Sequence, residues 1–173
     1  VDLVDSEFLI HRIDKDVSGV LLYTECLVCR QYVKDCIKER KVTKLYAGIV
    51  YGKVKENLKI SRNSEFNFKK QKLVYSARSG RVTTTYIYPI RSFLSDGIEV
   101  TSIYISIVTG RTHQIRSHLS QIGHPIINDI KYVGNRKLLN SYIGMSLHSL
   151  CYCIPNPLDR FMVCYTSPLV FEL

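Results

Sequence analysis

One carboxylate in this chain has the surroundings of a reactive group. It is Asp14, in His11-Arg12-Ile13-Asp14-Lys15-Asp16-Val17-Ser18-Gly19, with apolar Leu9-Ile10 before it and Val20-Leu21-Leu22 after it. A carboxylate must be ionised to act as nucleophile or base, and an opposite charge within a few ångströms favours that form. Arg12 stands two residues away, and Arg116 is a second cation able to do this from a distance in sequence. Taken alone, the stretch is equally a turn between strands, because Asp, Ser and Gly favour turns for conformational reasons. A second group of reactive types lies in Gly110-Arg-Thr-His-Gln-Ile-Arg-Ser-His-Leu-Ser-Gln-Ile-Gly123. Arg111, His113, Gln114 and Arg116 gather there at a predicted helix start, where orphan N–H groups and the positive dipole end favour an anion. Tyr46 adds a ring that can stack on a planar base. These groups describe an acid that acts on a nucleotide in a basic groove.

The elements that must position them read as follows. Thr24 to Arg40 is an amphipathic helix with Thr24 as cap and Cys26, Cys29, Val33 and Cys36 on its inner face. Lys44 to Gly52 is a strand, rich in aromatic and β-branched residues. From Lys53 to Gly80 the pattern weakens into short strand fragments in a long basic loop or hairpin, where Lys69, Lys70, Lys72 and Arg78 can touch phosphates or simply face water. Val82 to Ile90 and Ile98 to Thr109 are strands joined through Ser95-Asp96-Gly97, a hairpin signal, so the central sheet is mostly antiparallel. Thr112 can cap the helix that Gly123 stops, with Ile115, Leu119 and Ile122 on one face. On that face His118 reads as a hydrogen-bonded core residue. His113 orders the turn between Arg111 and Arg116 or meets phosphate, and His148 holds a loop.

Length and composition set the frame. The 173 residues suit one domain, and the chain carries 24 Lys and Arg against 15 Asp and Glu, for a net charge of +9. Such an excess points to a polyanionic partner, nucleic acid before anionic membrane. No apolar run is long enough to span a bilayer. The chain opens on Val1 and reads as a piece of a longer protein whose upstream segment is not visible; no signal-peptide pattern opens the piece itself, so disulfides are not expected. Cys26-x-x-Cys29 with the later Cys151-x-Cys153 resembles half-spaced zinc ligation, but buried thiols packing as small hydrophobes explain the cysteines without metal.

The motifs resemble those of the RluA-like family of RNA pseudouridine synthases. His11-Arg-Ile-Asp-x-x-x-Ser-Gly-Val-Leu-Leu22 is similar to the family's catalytic motif and Lys44-x-Tyr46-x-Gly48-x-Val50-x-Gly52 to its tyrosine motif. The run from Gly110 through His118-Leu119 to Gly123-His-Pro-Ile126 is similar to its longest signature, and Leu147-His148 with Pro155 or Pro157 to its closing motif. The resemblance implies an α+β pseudouridine-synthase core: a long, mainly antiparallel or mixed sheet, flanked by helices, with a central RNA-binding cleft. It implies a single catalytic domain over 1–173, short of the strands that the family carries before the aspartate motif. It implies isomerisation of uridine to pseudouridine in structured RNA, rRNA or tRNA, with no metal and no organic cofactor. Asp14, Tyr46 and Arg116 match the catalytic residues. Asp14 attacks sugar or base or removes a sugar proton, Tyr46 stacks on the base and assists loss of the C5 proton, and Arg116 pairs with Asp14. Arg12 matches the residue that fills the gap left by the flipped nucleotide, Leu147 lines the base pocket, and Arg111, His113 and Gln114 belong to the RNA-gripping signature.

The expected partner is RNA, and a cytoplasmic monomer is expected. Lys15 and Asp16 are expected to face solvent. The chain departs from the family pattern at Val17 (usually Thr), at Asn128-Asp129 (usually Gly-Asp), at Tyr132-Val133-Gly134 (usually Tyr-Gly) and at Gly80-Arg-Val-Thr83 (usually Gly-Lys-x-Ala). None of these removes a proposed catalytic group. Two other readings compete: a catalytically inactive RNA-binding module of the same fold, and a metal-dependent hydrolase built on His11, Asp14, His113, His118 and His124. Retention of Asp14, Tyr46 and Arg116 opposes the first, and the absence of tight helical histidine spacing opposes the second.

Overall fold

A computed structural model describes residues 8–70, 72–76 and 80–172. Arg78, one of the expected phosphate contacts, lies outside them. Eight strands form one sheet: β1 (Ser18–Gly19), β2 (Thr43–Tyr51), β3 (Leu58–Asn67), β4 (Lys72–Tyr75), β5 (Arg81–Ser95), β6 (Ile98–Ile107), β7 (Leu147–Pro155) and β8 (Met162–Thr166). Two helices accompany it, α1 (Leu27–Lys38) and α2 (Gln114–Gln121). The strand order is β1-β7-β2-β6-β5-β3-β4, with β8 also on β7. Only the short β1–β7 pairing is parallel; the other pairings are antiparallel. The mixed, mainly antiparallel sheet agrees with the sequence expectation.

Strand β2 sits mid-sheet and is buried on both faces. Tyr46 and Val50 join one core with Ile87, Ile103, Ile105 and α2's Ile115 and Leu119. Ile49 and Tyr51 point the other way, into a core with Val100, Ile127, Val133 and Leu139. This alternation follows the two-residue period of a strand, and each such fully buried aliphatic side chain contributes roughly 1.5–3 kcal/mol. A third core joins Val33 of α1 to Ile10, Val20, Tyr152 and Ile154.

The segment after β2 is better ordered than its sequence predicts. Residues 58–75 form a hairpin, β3 and β4, and β3 pairs along β5 from Leu58↔Ile87 to Ser64↔Arg81. The polar run satisfies a sheet edge: Ser64 and Thr83 hydroxyls lie 3.1 Å apart and buried. The Asp96-Gly97 turn has φ of 51° and 75°, the two positive values that a two-residue type I′ hairpin loop requires.

Three local expectations are corrected. Helix α1 starts later than expected, capped by Cys26, whose sulfur accepts from Cys29 N at 3.3 Å; Thr24 instead accepts from Cys26 N. Of the four residues assigned to its inner face, only Val33 and Cys36 are buried, because the first turn projects beyond the sheet it packs on. Helix α2 is preceded by His113 in the left-handed conformation (φ 57°), not capped by Thr112. Its entry is fixed by Gln114, whose side-chain oxygen accepts from Thr109 Oγ1 at 2.7 Å and Arg111 N at 3.2 Å.

The cysteine expectation also fails in part. Cys153 of β7 faces Cys164 of β8 in direct register, Cα atoms 4.0 Å apart, and the two form a disulfide. The expectation weighed only the compartment, whereas pairing register decides which thiols can meet. Cys151, Cys153 and Cys164 sulfurs lie within 4.8 Å of one another, a grouping that Cys26 and Cys29 do not enter. Among the described residues no helix is long and apolar enough to cross a membrane.

Candidate active site

Asp14 is held at the tip of a loop pinned at both ends. Ile10 N donates to Leu22 O at 3.1 Å, Val17 N to Asp14 O at 3.0 Å, and Val20 N to Ser149 O at 2.8 Å. His11 accepts from Leu22 N at 3.1 Å, and its ring stacks on Tyr152 with centroids 4.3 Å apart. Burial lowers the His11 pKa to about 4, so this ring is a neutral support. Gly19 has φ 108° and lies so close to β7 that a β-carbon would overlap the Ser149 carbonyl. Ser18 Oγ and His148 Nδ1, 2.8 Å apart, close the same seam. His148 thus fastens the Asp14 loop to β7, and at 3.4 Å from Ser167 O it also touches the C-terminal segment.

Helix α2 brings Arg116 to this loop. Its Nη1 donates to Asp14 Oδ2 at 3.0 Å. Its Nε and Nη2 donate to the two oxygens of Asp129 at 2.7 and 2.8 Å. One guanidinium therefore bridges two carboxylates, one fully buried (Asp129) and one facing the cavity (Asp14, side chain 17% exposed). Burial alone would lower the Arg116 pKa, but hydrogen bonds and charge from Asp129 and then Asp14 hold it above its ordinary value. The planar fork makes the Asp129 contact bidentate, which fixes the guanidinium's orientation as well as its charge. Tyr132 backs it, its ring 5.2 Å from the guanidinium carbon.

His113 Nε2 lies 3.8 Å from Asp14 Oδ2, and its Nδ1 is 3.1 Å from Tyr132 Oη. Burial, opposed by the charge of Asp14, lowers its pKa. Tyr46 reaches the same cavity from β2 and is 9% exposed. Its phenol is pushed up to about 12, first by burial and also by the charge of Asp14. Ser149 moderates that shift, though its hydroxyl does not meet hydrogen-bond geometry with Tyr46 and is the one buried side-chain polar group left without a partner among the described residues.

Two concavities meet at Asp14 and Arg116. A pocket of about 310 Å³ is lined by Asp14, Tyr46, Arg116 and Leu147 among others, and a groove of about 1200 Å³ runs past Arg12, Lys15, Arg91 and Lys131. Arg12, Asp14, His113 and Arg116 belong to both. A nucleoside-sized pocket thus opens on a longer groove lined by both signs of charge, Asp16 and Glu172 standing among the basic residues, with an arginine-held carboxylate at the junction.

The sequence model of a family described as RNA pseudouridylate synthase matches residues 3–121. The chain belongs to this family. It is 29% identical over 175 residues to ribosomal large subunit pseudouridine synthase D of Blochmanniella floridana, covering 93% of this chain and 53% of the relative. It is 33% identical over 153 residues to ribosomal large subunit pseudouridine synthase C of Rickettsia felis, covering 84% and 48%. The solved structure of human RNA pseudouridylate synthase domain containing 1 superposes with a TM-score of 0.79 at 27% identity, covering 92% of this chain and 69% of that one. The chain spans about half the length of the curated relatives it matches.

For an RNA pseudouridylate synthase domain, the sequence-predicted site residues fall as follows. Asp14, Tyr46, Arg116, Leu147, Arg12, Arg111, His113 and Gln114 all line the pocket. Arg12 and Arg111 are exposed at its rim, as are Lys15 and Asp16 beside it. Gln114 differs from expectation in its chemistry. It is 2% exposed, and besides its two accepted bonds its amide donates to Thr84 O and Thr85 Oγ1, at 3.0 and 3.1 Å. That leaves the amide no capacity for RNA, and it serves to fix the loop before α2. His118, 0% exposed between Thr83 and Thr85 hydroxyls at 2.9 Å each, is the core residue expected.

Sequence reasoning missed Asp129, Tyr132 and Lys44. Asp129 had a signal in the Asn128-Asp129 position, where the family has Gly-Asp. Asn128 keeps the positive φ (59°) that Gly would supply, and its amide ties down Leu139 and Tyr142. Lys44 is taken up below.

Proposed function

We propose that this chain is the catalytic domain of an RNA pseudouridine synthase, isomerising uridine to pseudouridine in structured RNA of the rRNA or tRNA kind. The observation that carries it is Asp14, held by Arg116 at 3.0 Å where a nucleoside-sized pocket with Arg12 and Arg111 at its rim meets a longer groove. In the reaction the N1–C1′ bond breaks, a C5–C1′ bond forms, C5 loses a proton and N1 gains one. Asp14 is the nucleophile or base. Arg116 holds and aims it, and Tyr46 lies against the base and, as a phenol pushed up to about 12 by burial, serves as a hydrogen-bonding and stacking partner of the ring. Leu147 is the apolar wall on which the freed uracil turns.

The target must leave its stack, at a cost of a few kcal/mol, and Arg12 at the pocket rim is placed to occupy the gap. Arg111 and His113 face the same opening and grip the adjoining backbone. The β3–β4 hairpin flanks the site, with Phe66 edge-on to His113 at 6.2 Å and Leu73 N donating to Tyr132 Oη at 3.1 Å. This puts Lys69 and Lys70 at the turn of a basic arm beside the groove. The domain is read as a monomer, and an RNA substrate of this kind supports a cytoplasmic setting. The reading asks for no metal and no organic cofactor, since every proton and electron pair is accounted for within substrate and side chains.

Carbodiimide mapping of pseudouridine in total RNA tests it. Cells or extracts supplied with the wild-type protein gain one or a few modified sites that Asp14→Asn does not produce. Identical maps for the two proteins would remove the proposal.

A further inference from the structure

Lys44 is a cation buried to 5% exposure in the reaction pocket. Among the described residues its ammonium forms no ion pair, and the side chain lines the cavity. Burial lowers its pKa. Removing an ammonium from water without a partner is expensive, so a group that brings negative charge to it from the cavity is favoured. The pocket's other charges agree. Its one acid, Asp14, is already taken by Arg116, while Arg12, Lys34 and Arg111 add further positive charge. The favoured group is therefore an anion.

Its place can be read from β2. Lys44 and Tyr46 are two residues apart on one strand, both facing the pocket, and so lie about 7 Å apart along the strand. That is the scale of one nucleotide, from base to adjoining phosphate. The approach to the ammonium passes over Gly110, where a β-carbon would stand 3.4 Å from Nζ. Gly110 leaves open the volume through which an oxygen can reach the lysine.

We propose that Lys44 binds a backbone phosphate adjoining the target uridine, so that Tyr46 takes the base and Lys44 the phosphate of one extruded nucleotide. This rests on the RNA reading above.

The test uses the whole protein and a fluorescent oligouridylate RNA, measured by anisotropy over a salt series. Lys44→Met keeps the length of the side chain and removes its charge. The expected result is affinity roughly tenfold lower or more, the worth of a charge-assisted hydrogen bond. The slope of log affinity against log salt should become shallower by about 0.7, one single-strand phosphate contact. The variant's melting temperature should not fall, because an unpaired buried charge has gone. Gly110→Val, with the lysine kept, should also weaken binding by closing its approach. A folded Lys44→Met protein with wild-type affinity and slope overturns the proposal. If Lys44→Met does not fold, unchanged affinity in Gly110→Val overturns it instead. The pseudouridine map reports separately on the reaction: a wild-type protein that makes no pseudouridine defeats the functional reading, whereas the salt slope decides Lys44 in either case.

Discussion

Arg116 bridges two carboxylates of unequal burial, so removing one or the other should have unequal effects on stability. Asp129 is 1% exposed and Arg116 5%. Asp129→Asn keeps the shape but turns an N–H toward the guanidinium and strips the buried partner, leaving Arg116 with only Asp14. Breaking a buried pair from one side costs about 3–5 kcal/mol, a large share of a domain's usual 5–15 kcal/mol. The guanidinium also loses the bidentate contact that aims it, and misplacement of about 1 Å at a reacting group can cost roughly a hundredfold in rate. Asp14→Asn removes the same charge from the same arginine at a cavity edge, where Asp129 still satisfies the cation. Its stability should stay within about 1 kcal/mol of wild type, while isomerisation disappears. Urea melts give the stabilities, and single-turnover assays on mapped RNA give the rates. A double variant, Asp129→Leu with Arg116→Met, should recover most of the lost stability and none of the activity, since the pair is replaced by apolar groups of similar size. An Asp129→Asn protein that melts like wild type, or an Asp14→Asn protein that loses as much stability as Asp129→Asn, would refute this account of the bridge.

Tyr46→Phe should lower the isomerisation rate while RNA affinity by anisotropy stays within about threefold, the ring being kept and the hydroxyl lost; equal loss in both would mean that Tyr46 only stacks. Because burial holds His11 and His118 near pKa 4 against 6.5 in the unfolded chain, the unfolded state binds more protons between those values. Their stabilisation is present above pH 6.5 and is lost as pH falls toward 4, so melting temperature should drop between pH 6.5 and 5, above the ordinary carboxylate range; a flat profile there contradicts the burial of both rings. Gly19→Ala should cost about 2 kcal/mol or more, from a left-handed backbone and overlap with the Ser149 carbonyl, and should reduce activity further by shifting the Asp14 loop; a wild-type melt would show that the β1–β7 seam is looser than described.

Much of the sheet was legible because its strands obey a simple period. Strand β2 and the β5–β6 hairpin announce themselves through β-branched runs and an Asp-Gly turn. The β3–β4 hairpin did not, because its strands are polar and basic, and what holds them is cross-strand hydroxyl pairing and the Leu73–Tyr132 contact, neither of which has a local signature. The Asp14–Arg116 pair was readable through motif resemblance, whereas Asp129 passed as a loop residue because its importance lies in a partner thirteen positions away. Gln114 misled in the opposite sense: in sequence it stands among RNA-gripping residues, and only its four internal hydrogen bonds show that it is spent. The Cys153–Cys164 pairing depends on the register of β7 against β8, which composition does not encode.

The Asp14–Arg116–Asp129 bridge has a consequence for how the protein comes to be active. Its three members arrive from a loop near the start, from the second helix and from a connection well beyond it, with 102 positions between Asp14 and Arg116. A chain that stops before Arg116 carries Asp14 without its counter-ion. A copy in which these three segments have not met therefore lacks the pairing that aims Asp14, so the reactive group depends on the tertiary fold and not on any local stretch.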